Sequence, residues 1–277
     1  MSTPRARRLL ASSLVPLLLL LSGCSSLGLG TSGSASPVSD RIRESGELRI
    51  GMTGDYPPLN VIDLRDQNIG LEPDLAQALA SSMGVSLKIV NKPFSELLPA
   101  LEAGEVDAVM SGMTMTPDRN LKVAFAGPYF VSGKAILTKS STLATAESLG
   151  EIQRSIQIAV LEGSTSQTMV EGAQTPATVV TVASYDAGVQ MVLGGEVDAM
   201  LADYPIAMLA VLRNPSAGLV SAISPLTFEP IGIALPGNDP LFVNLVQNYL
   251  ASLEVTGILN ALRAKWFEDS SWLRSMR

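Results

Sequence analysis

Two charged side chains, Arg119 and Asp203, stand where they could hold a small ligand that carries both charges. Arg119 follows Thr116-Pro117, and proline at a first helical position predicts a short helix there. A guanidinium beside free helix-terminal N–H groups is suited to gripping a carboxylate. Asp203 follows an apolar run, and its carboxylate could accept hydrogen bonds from an ammonium. The plainer alternatives are a surface arginine and a helix-capping aspartate.

Further polar and aromatic residues could contribute to the same chemistry. The turn at residues 163–166, which contains Thr165, follows a strand-like run and precedes a helical segment. Its N–H groups and hydroxyls could face the same anion, although such turns are common. Tyr56 and Phe94 lie in or beside predicted loops, where they could flank a ligand, but core packing is the more common fate of an aromatic residue.

The composition excludes several kinds of chemistry. The 277 residues include no His, which removes histidine metal sites and Ser–His–Asp triads. The single Cys, Cys24, can form neither an intramolecular disulfide nor a cysteine zinc site. A formal charge of −7 argues against nucleic-acid binding, because Lys and Arg must neutralise the phosphates. The hydrophobic fraction of 47% is sufficient for packed cores, and the length suits two lobes.

The N-terminal residues have the pattern of an export signal. Three arginines precede an apolar stretch at residues 9–21, which is shorter than the roughly 20 residues of a membrane-spanning helix. Leu-Ser-Gly-Cys, ending at Cys24, resembles the lipobox of bacterial lipoproteins; the alternative is an ordinary signal peptide with a chance cysteine. We therefore expect a lipoprotein signal peptide at 1–23, and a lipidated cysteine with a flexible tether at 24–44. The protein would be lipid-anchored in the cell envelope, facing the periplasm or the extracellular side.

A repeated pentapeptide predicts the elements that position these residues. Gly-Glu-Val-Asp-Ala occurs at residues 104–108 and again at 195–199. Each copy follows a helix-like segment and leads into an apolar run, which predicts two similarly built α/β lobes. The first copy leads to Ser111 and the second to Asp203. Because ligands bind beyond the carboxyl ends of strands in open α/β sheets, these ends indicate a site between the lobes.

Longer motifs give the chain a specific family resemblance. They occupy residues 50–59, 70–76, 103–108, 111–119, 126–129, 161–165 and 197–203. In this series and spacing, the chain resembles the amino-acid-binding branch of the periplasmic solute-binding proteins, the type II, family 3 proteins that serve ABC importers. The resemblance covers nearly all of residues 45–268.

The resemblance implies an α/β fold of the two-lobed, type II periplasmic-binding-protein class. Each lobe would have a central sheet, and two crossovers would form the hinge between them. Lobe 1 is expected at residues 45–134 plus 228–277, and lobe 2 at residues 135–227. The strand-like run at 231–235 would return to the first lobe. The resemblance implies no cofactor and no metal site.

The resemblance also implies roles for individual residues. Arg119 would grip the ligand α-carboxylate, helped by the backbone N–H groups of Thr114 and Thr165. Asp203 would pair with the α-ammonium, and the two aromatic residues would flank the ligand side chain. The implied ligand-binding residues are Tyr56, Phe94, Ser111, Gly112, Thr114, Arg119, Thr165 and Asp203.

The implied function is capture of a polar amino acid for an ABC transporter permease, without catalysis. The main alternative is a cyclohexadienyl or arogenate dehydratase, since these enzymes share the fold and residues 53–56 resemble their opening strand. Such an enzyme needs a carboxylic acid in the cleft as a proton donor. A glutamate is expected three residues after Asp203, but Ile206 occupies that position. Asp55 or Glu162 could supply the acid instead. A ligand-sensing domain of a larger receptor is a third interpretation.

Acidic residues near the predicted cleft bear on which amino acid is bound. Asp55 and Glu162, added to Asp203, suggest an acidic mouth and therefore a polar or cationic amino acid. The alternative is that Asp55 and Glu162 are solvated carboxylates on the rim, which would leave the ligand side chain open.

Overall fold

The computed structural model describes residues 36–276. The predicted signal peptide, Cys24 and most of the predicted tether lie outside this range. No helix within residues 36–276 is both long enough and apolar enough to cross a membrane.

Residues 36–276 form ten α-helices and twelve strands. The strands are β1 (Glu47–Met52), β2 (Asp55–Tyr56), β3 (Asn60–Ile62), β4 (Asn68–Ile69), β5 (Ser86–Asn91), β6 (Ala108–Val109), β7 (Val123–Ser132), β8 (Lys134–Thr138), β9 (Gln157–Leu161), β10 (Thr178–Val182), β11 (Ala199–Asp203) and β12 (Glu229–Pro236). The helices are α1 (Pro37–Ser45), α2 (Leu71–Met83), α3 (Phe94–Glu102), α4 (Pro117–Asn120), α5 (Ser141–Ala144), α6 (Thr165–Glu171), α7 (Tyr185–Gly194), α8 (Tyr204–Arg213), α9 (Pro240–Val255) and α10 (Ile258–Phe267).

Two mixed sheets form the framework of the protein. The first has the order β5-β1-β6-β12-β7, with β1 parallel to β5 and β6, and β12 antiparallel to β6 and β7. The second has the order β10-β9-β11-β8, with β9 parallel to β10 and β11, and β8 antiparallel to β11. Parallel neighbours need crossover connections, which the helices supply. We call the parts built on these sheets the first lobe and the second lobe; this architecture confirms the predicted fold class.

The chain crosses between the lobes at two places that lie side by side. The first crossing is Gly133, between β7 and β8, and the second immediately precedes β12. A Cβ atom at Gly133 would overlap the carbonyl oxygen of Thr227, so the close approach of the two crossings requires glycine there. Because β12 pairs with β6 and β7, residues 231–235 lie in the sheet of the first lobe.

The repeated pentapeptide builds the same local structure in each lobe. The glycine that begins each copy has a left-handed backbone, with φ of 70° and 75°. Asp107 donates its N–H to the Arg49 carbonyl at 2.8 Å and accepts the Arg49 N–H at 2.7 Å. Asp198 makes the equivalent pair of bonds with Gln157, at 3.0 and 2.8 Å. Each repeated aspartate therefore ties the turn to the adjacent parallel strand, which is an architectural role.

Apolar strand residues supply the cores behind the cleft. In β1, Leu48, Ile50 and Met52 are fully buried, in the alternation expected of a strand. In the second lobe, Val160 and Leu201 are fully buried. Burying one such side chain contributes about 1.5–3 kcal/mol, so the strand ends that carry polar residues are fixed by well-packed interiors.

The end of the predicted tether is folded, which corrects the expectation for residues 37–44. These residues lie in α1, and Ile42, at 1% exposure, belongs to the core. The carboxylate of Asp239 accepts the N–H groups of Val38 and Ser39 at 2.9 and 3.0 Å. A distant carboxylate therefore satisfies the free N–H groups of the first helical turn, a contact that sequence patterns do not reveal.

Candidate functional site

Four charged side chains lie between the lobes next to the crossings: Arg119, Lys134, Asp203 and Glu229. We call them the cleft cluster. The ammonium of Lys134 lies 2.6 Å from Asp203 Oδ1 and 3.3 Å from Glu229 Oε2. The exposed fractions of these three side chains are 2%, 4% and 13%, so the ion pairs are largely shielded from water.

Strand register explains why Lys134 meets the two carboxylates. Lys134 begins β8, and its antiparallel partner in register is Asp203, the last residue of β11. Directly opposed residues on antiparallel strands interact through their side chains. Glu229 begins β12, just after the second crossing. The two crossings therefore deliver a cation and an anion to the same point.

Asp203 supplies a carboxylate of the second lobe to this cluster. Its Oδ2 atom accepts the Tyr185 hydroxyl at 2.6 Å, and its Oδ1 atom accepts Lys134 Nζ. Asp203 occupies the N-cap position of α8, yet its side chain makes no capping hydrogen bond. The helix-cap alternative for Asp203 is therefore wrong.

Glu229 joins the two lobes through one oxygen atom. Its Oε2 atom accepts the Thr114 hydroxyl at 2.8 Å from the first lobe and the Thr165 hydroxyl at 2.9 Å from the second. Thr165 is the first residue of α6, where the turn at 163–166 places it. Sequence reasoning missed both Glu229 and Lys134. The available signal was a charged residue beside each expected crossing.

Arg119 reaches from the first lobe to the second. Its guanidinium donates to the Thr114 carbonyl at 2.8 Å and to the Gly163 carbonyl at 3.1 Å. It also lies 5.6 Å from the ring centre of Phe94, a cation–π distance. Burial lowers the pKa of Arg119, and the charges of the two cleft carboxylates oppose that effect. Arg119 is therefore a partly buried cation of the cleft cluster, not a freely solvated surface arginine.

Tyr56 brings an unpartnered hydroxyl to the same region. Its side chain is fully buried, and its ring lies 4.9 Å from that of Tyr185 across the lobes. Burial, reinforced by the charge of Asp203, raises the pKa of Tyr56 well above its usual range. Within residues 36–276, neither the Tyr56 hydroxyl nor the buried Ser132 hydroxyl has a hydrogen-bond partner. An unsatisfied buried hydroxyl costs about 1–3 kcal/mol, so these groups favour a polar ligand atom.

Gly112 belongs to a second buried group, which we call the Glu72 cluster: Glu72, Asn60, Gly112 and Tyr129. Gly112 donates its N–H to Glu72 Oε1 at 2.6 Å, and the Asn60 amide and Tyr129 hydroxyl also donate to this carboxyl group. Burial raises the pKa of Glu72. The left-handed backbone of Gly112 has φ of 61°, and a Cβ there would overlap the Tyr56 ring.

Ser111 supports the strand ends of the first lobe. Its hydroxyl oxygen accepts the Thr53 N–H at 3.0 Å and lies 3.2 Å from the Thr53 hydroxyl. The structure thus brings Arg119, Thr114, Thr165 and Asp203 together through Lys134 and Glu229. It places Tyr56 and Phe94 beside this group, whereas the Ser111 hydroxyl and the Gly112 N–H are engaged within the first lobe.

The carboxyl groups considered as proton donors lie in different environments. Asp55 Oδ2 accepts the Tyr185 N–H at 3.0 Å across the lobes, and burial raises the pKa of Asp55. Asp55 Oδ1 is buried and has no partner within the described part of the chain. Glu162 is exposed, and Ile206 is a buried apolar residue of α8.

Comparisons with known proteins agree with this architecture. Residues 48–269 match the family of bacterial extracellular solute-binding proteins, family 3. ABC transporter arginine-binding protein 1 of Escherichia coli (strain K12) is 26% identical over 224 residues, which cover 80% of this chain and 90% of that protein. Cyclohexadienyl dehydratase of Pseudomonas aeruginosa is 29% identical over 230 residues, which cover 83% and 85%.

A solved structure gives the same result in three dimensions. A crystal structure of a mutant of ArgBP from T. maritima superimposes with a TM-score of 0.78 at 30% identity, and covers 84% of this chain and 100% of that one. The fold therefore occurs in transport-associated binding proteins and in an enzyme. Since the family match spans most of the sequence, the chain belongs to the bacterial extracellular solute-binding proteins, family 3.

Proposed function

We infer that this chain captures a polar amino acid between its two lobes and delivers it to an ABC importer. The observation that carries this proposal is the cleft cluster, in which cations and carboxylates from both lobes meet beside two unpartnered buried hydroxyls. A zwitterion remains charged in a cleft only where each of its charges is paired and hydrogen-bonded. The cluster supplies partners for both signs.

The roles of the cleft residues follow from their atoms. Arg119 would exchange its bonds to the Thr114 and Gly163 carbonyls for two bonds to the α-carboxylate, which has better geometry for a guanidinium. The N–H groups of Thr114 and Thr165 would assist. Asp203 would hold the α-ammonium, with its Oδ2 atom kept in place by Tyr185.

Closure of the lobes would couple ligand capture to a change of shape. Arg119, Glu229 and Asp55 each bond to a partner in the other lobe, so the contacts that favour closure surround the proposed ligand position. The lobes would open and close by bending at the two crossings beside Gly133. Contacts from both lobes to a bound ligand would favour the closed state.

The cellular setting is part of the proposal. Residues 1–23 would direct export, and Cys24 would carry the lipid that anchors the mature protein to a membrane of the cell envelope. An ABC transporter permease would then be the partner that receives the amino acid. The E. coli relative is named as an arginine-binding protein, which supports an amino-acid ligand for this chain.

Calorimetric titration of the full-length chain against the twenty amino acids tests this function. We expect at least one to bind with a dissociation constant near micromolar, about −8 kcal/mol, and to raise thermal stability by about 2.7 kcal/mol at 100 times that concentration. Arg119→Ala should abolish binding while unfolding stays cooperative. Arg154→Ala, which removes an exposed arginine of the second lobe, is the control and should bind normally. Unchanged affinity in Arg119→Ala would refute the carboxylate assignment.

A dehydratase is the second candidate, and one observation favours it. Asp55 is a buried carboxyl group at the junction of the lobes with a raised pKa, which suits a proton donor. Against it, Ile206 is apolar where a glutamate is expected. Conversion of prephenate or arogenate by the purified chain, lost in Asp55→Asn, would establish the enzyme; binding of amino acids without turnover would exclude it.

A further inference from the structure

Lys134 is a charged group in the cleft that amino-acid capture does not by itself require. Its ammonium lies 2.6 Å from Asp203 Oδ1 and 3.3 Å from Glu229 Oε2, and its side chain is 2% exposed. A cation buried to this degree needs compensating carboxylates. Asp203 and Glu229 provide them, so part of the negative charge that a ligand cation would use is already occupied by the protein.

We propose that Lys134 makes the cleft selective for amino acids with an uncharged side chain. This proposal rests on the proposed function. The cleft cluster contains two cations and two carboxylates, and its net charge is zero. A zwitterionic amino acid adds one charge of each sign, so every charge in the closed cleft then has an opposite partner.

A ligand with a cationic side chain breaks this balance. Its third charge has no carboxylate left in the cleft cluster, and burying an uncompensated charge is strongly unfavourable. Asp55 is a further carboxyl group that bonds across the lobes. Its Oδ2 atom already accepts the Tyr185 N–H at 3.0 Å, and its buried Oδ1 atom can accept a neutral donor such as an amide. Burial raises the pKa of Asp55, which makes it a poor counter-ion.

Removal of Lys134 should reverse the selectivity. Lys134→Met keeps a long apolar side chain but leaves the cluster with a net negative charge. Asp203 Oδ1 and Glu229 Oε2 then lose their shared cation. A ligand guanidinium or ammonium can take that place, so the variant should favour the ligands that the natural chain disfavours.

Matched ligand pairs test the proposal by calorimetric titration of the full-length chain. Arginine and citrulline have nearly the same shape and differ by one positive charge; lysine and 6-hydroxynorleucine form a second pair. We expect the natural chain to bind the neutral member at least tenfold more tightly. Lys134→Met should shift that ratio at least tenfold towards the cation. Lys139→Met should leave it unchanged, because Lys139 is an exposed lysine just after β8.

Each outcome decides the proposal. It is wrong if arginine binds the natural chain as tightly as citrulline, or if Lys134→Met leaves the ratio unchanged. Arginine binding that disappears in Asp55→Asn would also refute it, since Asp55 would then be the counter-ion. If the natural chain binds neither member of a pair, gain of arginine binding by Lys134→Met supports the proposal, and no gain refutes it.

A double variant guards against loss of folding. Lys134→Met combined with Glu229→Gln removes one charge of each sign, so the net charge of the cleft cluster is zero again. We therefore expect the preference for citrulline over arginine to return. A persisting preference for arginine would contradict the charge argument. The proposed function fails separately: no amino acid would bind the natural chain or any variant. If amino acids bind but the cationic members bind more tightly, only the selectivity proposal fails.

Discussion

The two copies of the repeated pentapeptide build equivalent turns but lead to opposite electrostatic arrangements. After the first copy, Gly112 donates its N–H to Glu72, a buried carboxyl group surrounded by neutral donors. After the second copy, Asp203 pairs with the buried ammonium of Lys134. The same supersecondary unit therefore leads to a carboxyl group held by neutral donors in one lobe and to an ion pair in the other.

The difference follows from where each cluster lies. The Glu72 cluster is enclosed within one lobe, where neutral donors suffice and burial raises the pKa of Glu72. The cleft cluster lies between the lobes, where Glu229 accepts hydroxyls from both. Charges placed there can exchange partners with a charged ligand. Buried carboxyl groups thus stabilise the packing of one lobe in the first place, and under the proposed function they would meet the ligand in the second.

The largest expected effect comes from breaking the ion pairs of the cleft cluster. Lys134→Met leaves the buried Asp203 and the partly buried Glu229 without their shared cation, which should lower the free energy of unfolding by about 3–5 kcal/mol. Urea denaturation at neutral pH measures it. Lys139→Met, the exposed control, should change stability by less than about 0.5 kcal/mol. A change below about 1 kcal/mol in Lys134→Met would mean that the cluster is solvated.

A smaller effect tests whether Asp203 also contacts the ligand. Asp203→Asn keeps the shape and one acceptor oxygen but removes the charge, so binding should weaken by about 1.5–3 kcal/mol. The loss should be confined to ligands with a free amino group. A des-amino analogue serves as the matched ligand and should be nearly insensitive. If Asp203→Asn weakens the binding of both ligands equally, or changes the binding of neither, Asp203 acts only as the counter-ion of Lys134.

The smallest expected effect concerns the Glu72 cluster and appears as a pH dependence of the free energy of unfolding. Since burial raises the folded-state pKa of Glu72, the unfolded chain ionises first as the pH rises above about 4.5. Glu72 therefore favours the folded state at low pH, and its contribution decreases as the pH rises towards the folded-state pKa.

Glu72→Gln should remove this pH dependence. We expect the stability difference between the natural chain and the variant to fall from acidic to neutral pH, in denaturation curves at several pH values. Glu102→Gln, an exposed glutamate of the same lobe, should keep the natural profile. An unchanged profile in Glu72→Gln would show that Glu72 titrates as if it were exposed.

Sequence patterns were sufficient for the architecture, because local periodicity and turn chemistry act over short distances. The repeat at residues 104–108 and 195–199 predicted two related lobes, and each repeated aspartate bonds to the neighbouring parallel strand as that unit requires. The turn chemistry of Thr116-Pro117 correctly predicted α4, which begins at Pro117. The structure also brings Arg119 and Asp203 to the two sides of one cluster. Their roles in binding a ligand remain predictions.

What only the tertiary structure decided is which groups already occupy that cluster. Lys134 and Asp203 are 69 residues apart, and Thr114 and Glu229 are 115 apart. Their contacts depend on the register of β8 against β11, which leaves no local pattern in the sequence, and on how closely the two crossings approach each other. A charged residue in a sequence has no visible partner until the fold supplies one. The sequence therefore determined the two lobes and the chemistry of their strand ends, while long-range pairing determined the charge balance of the cleft.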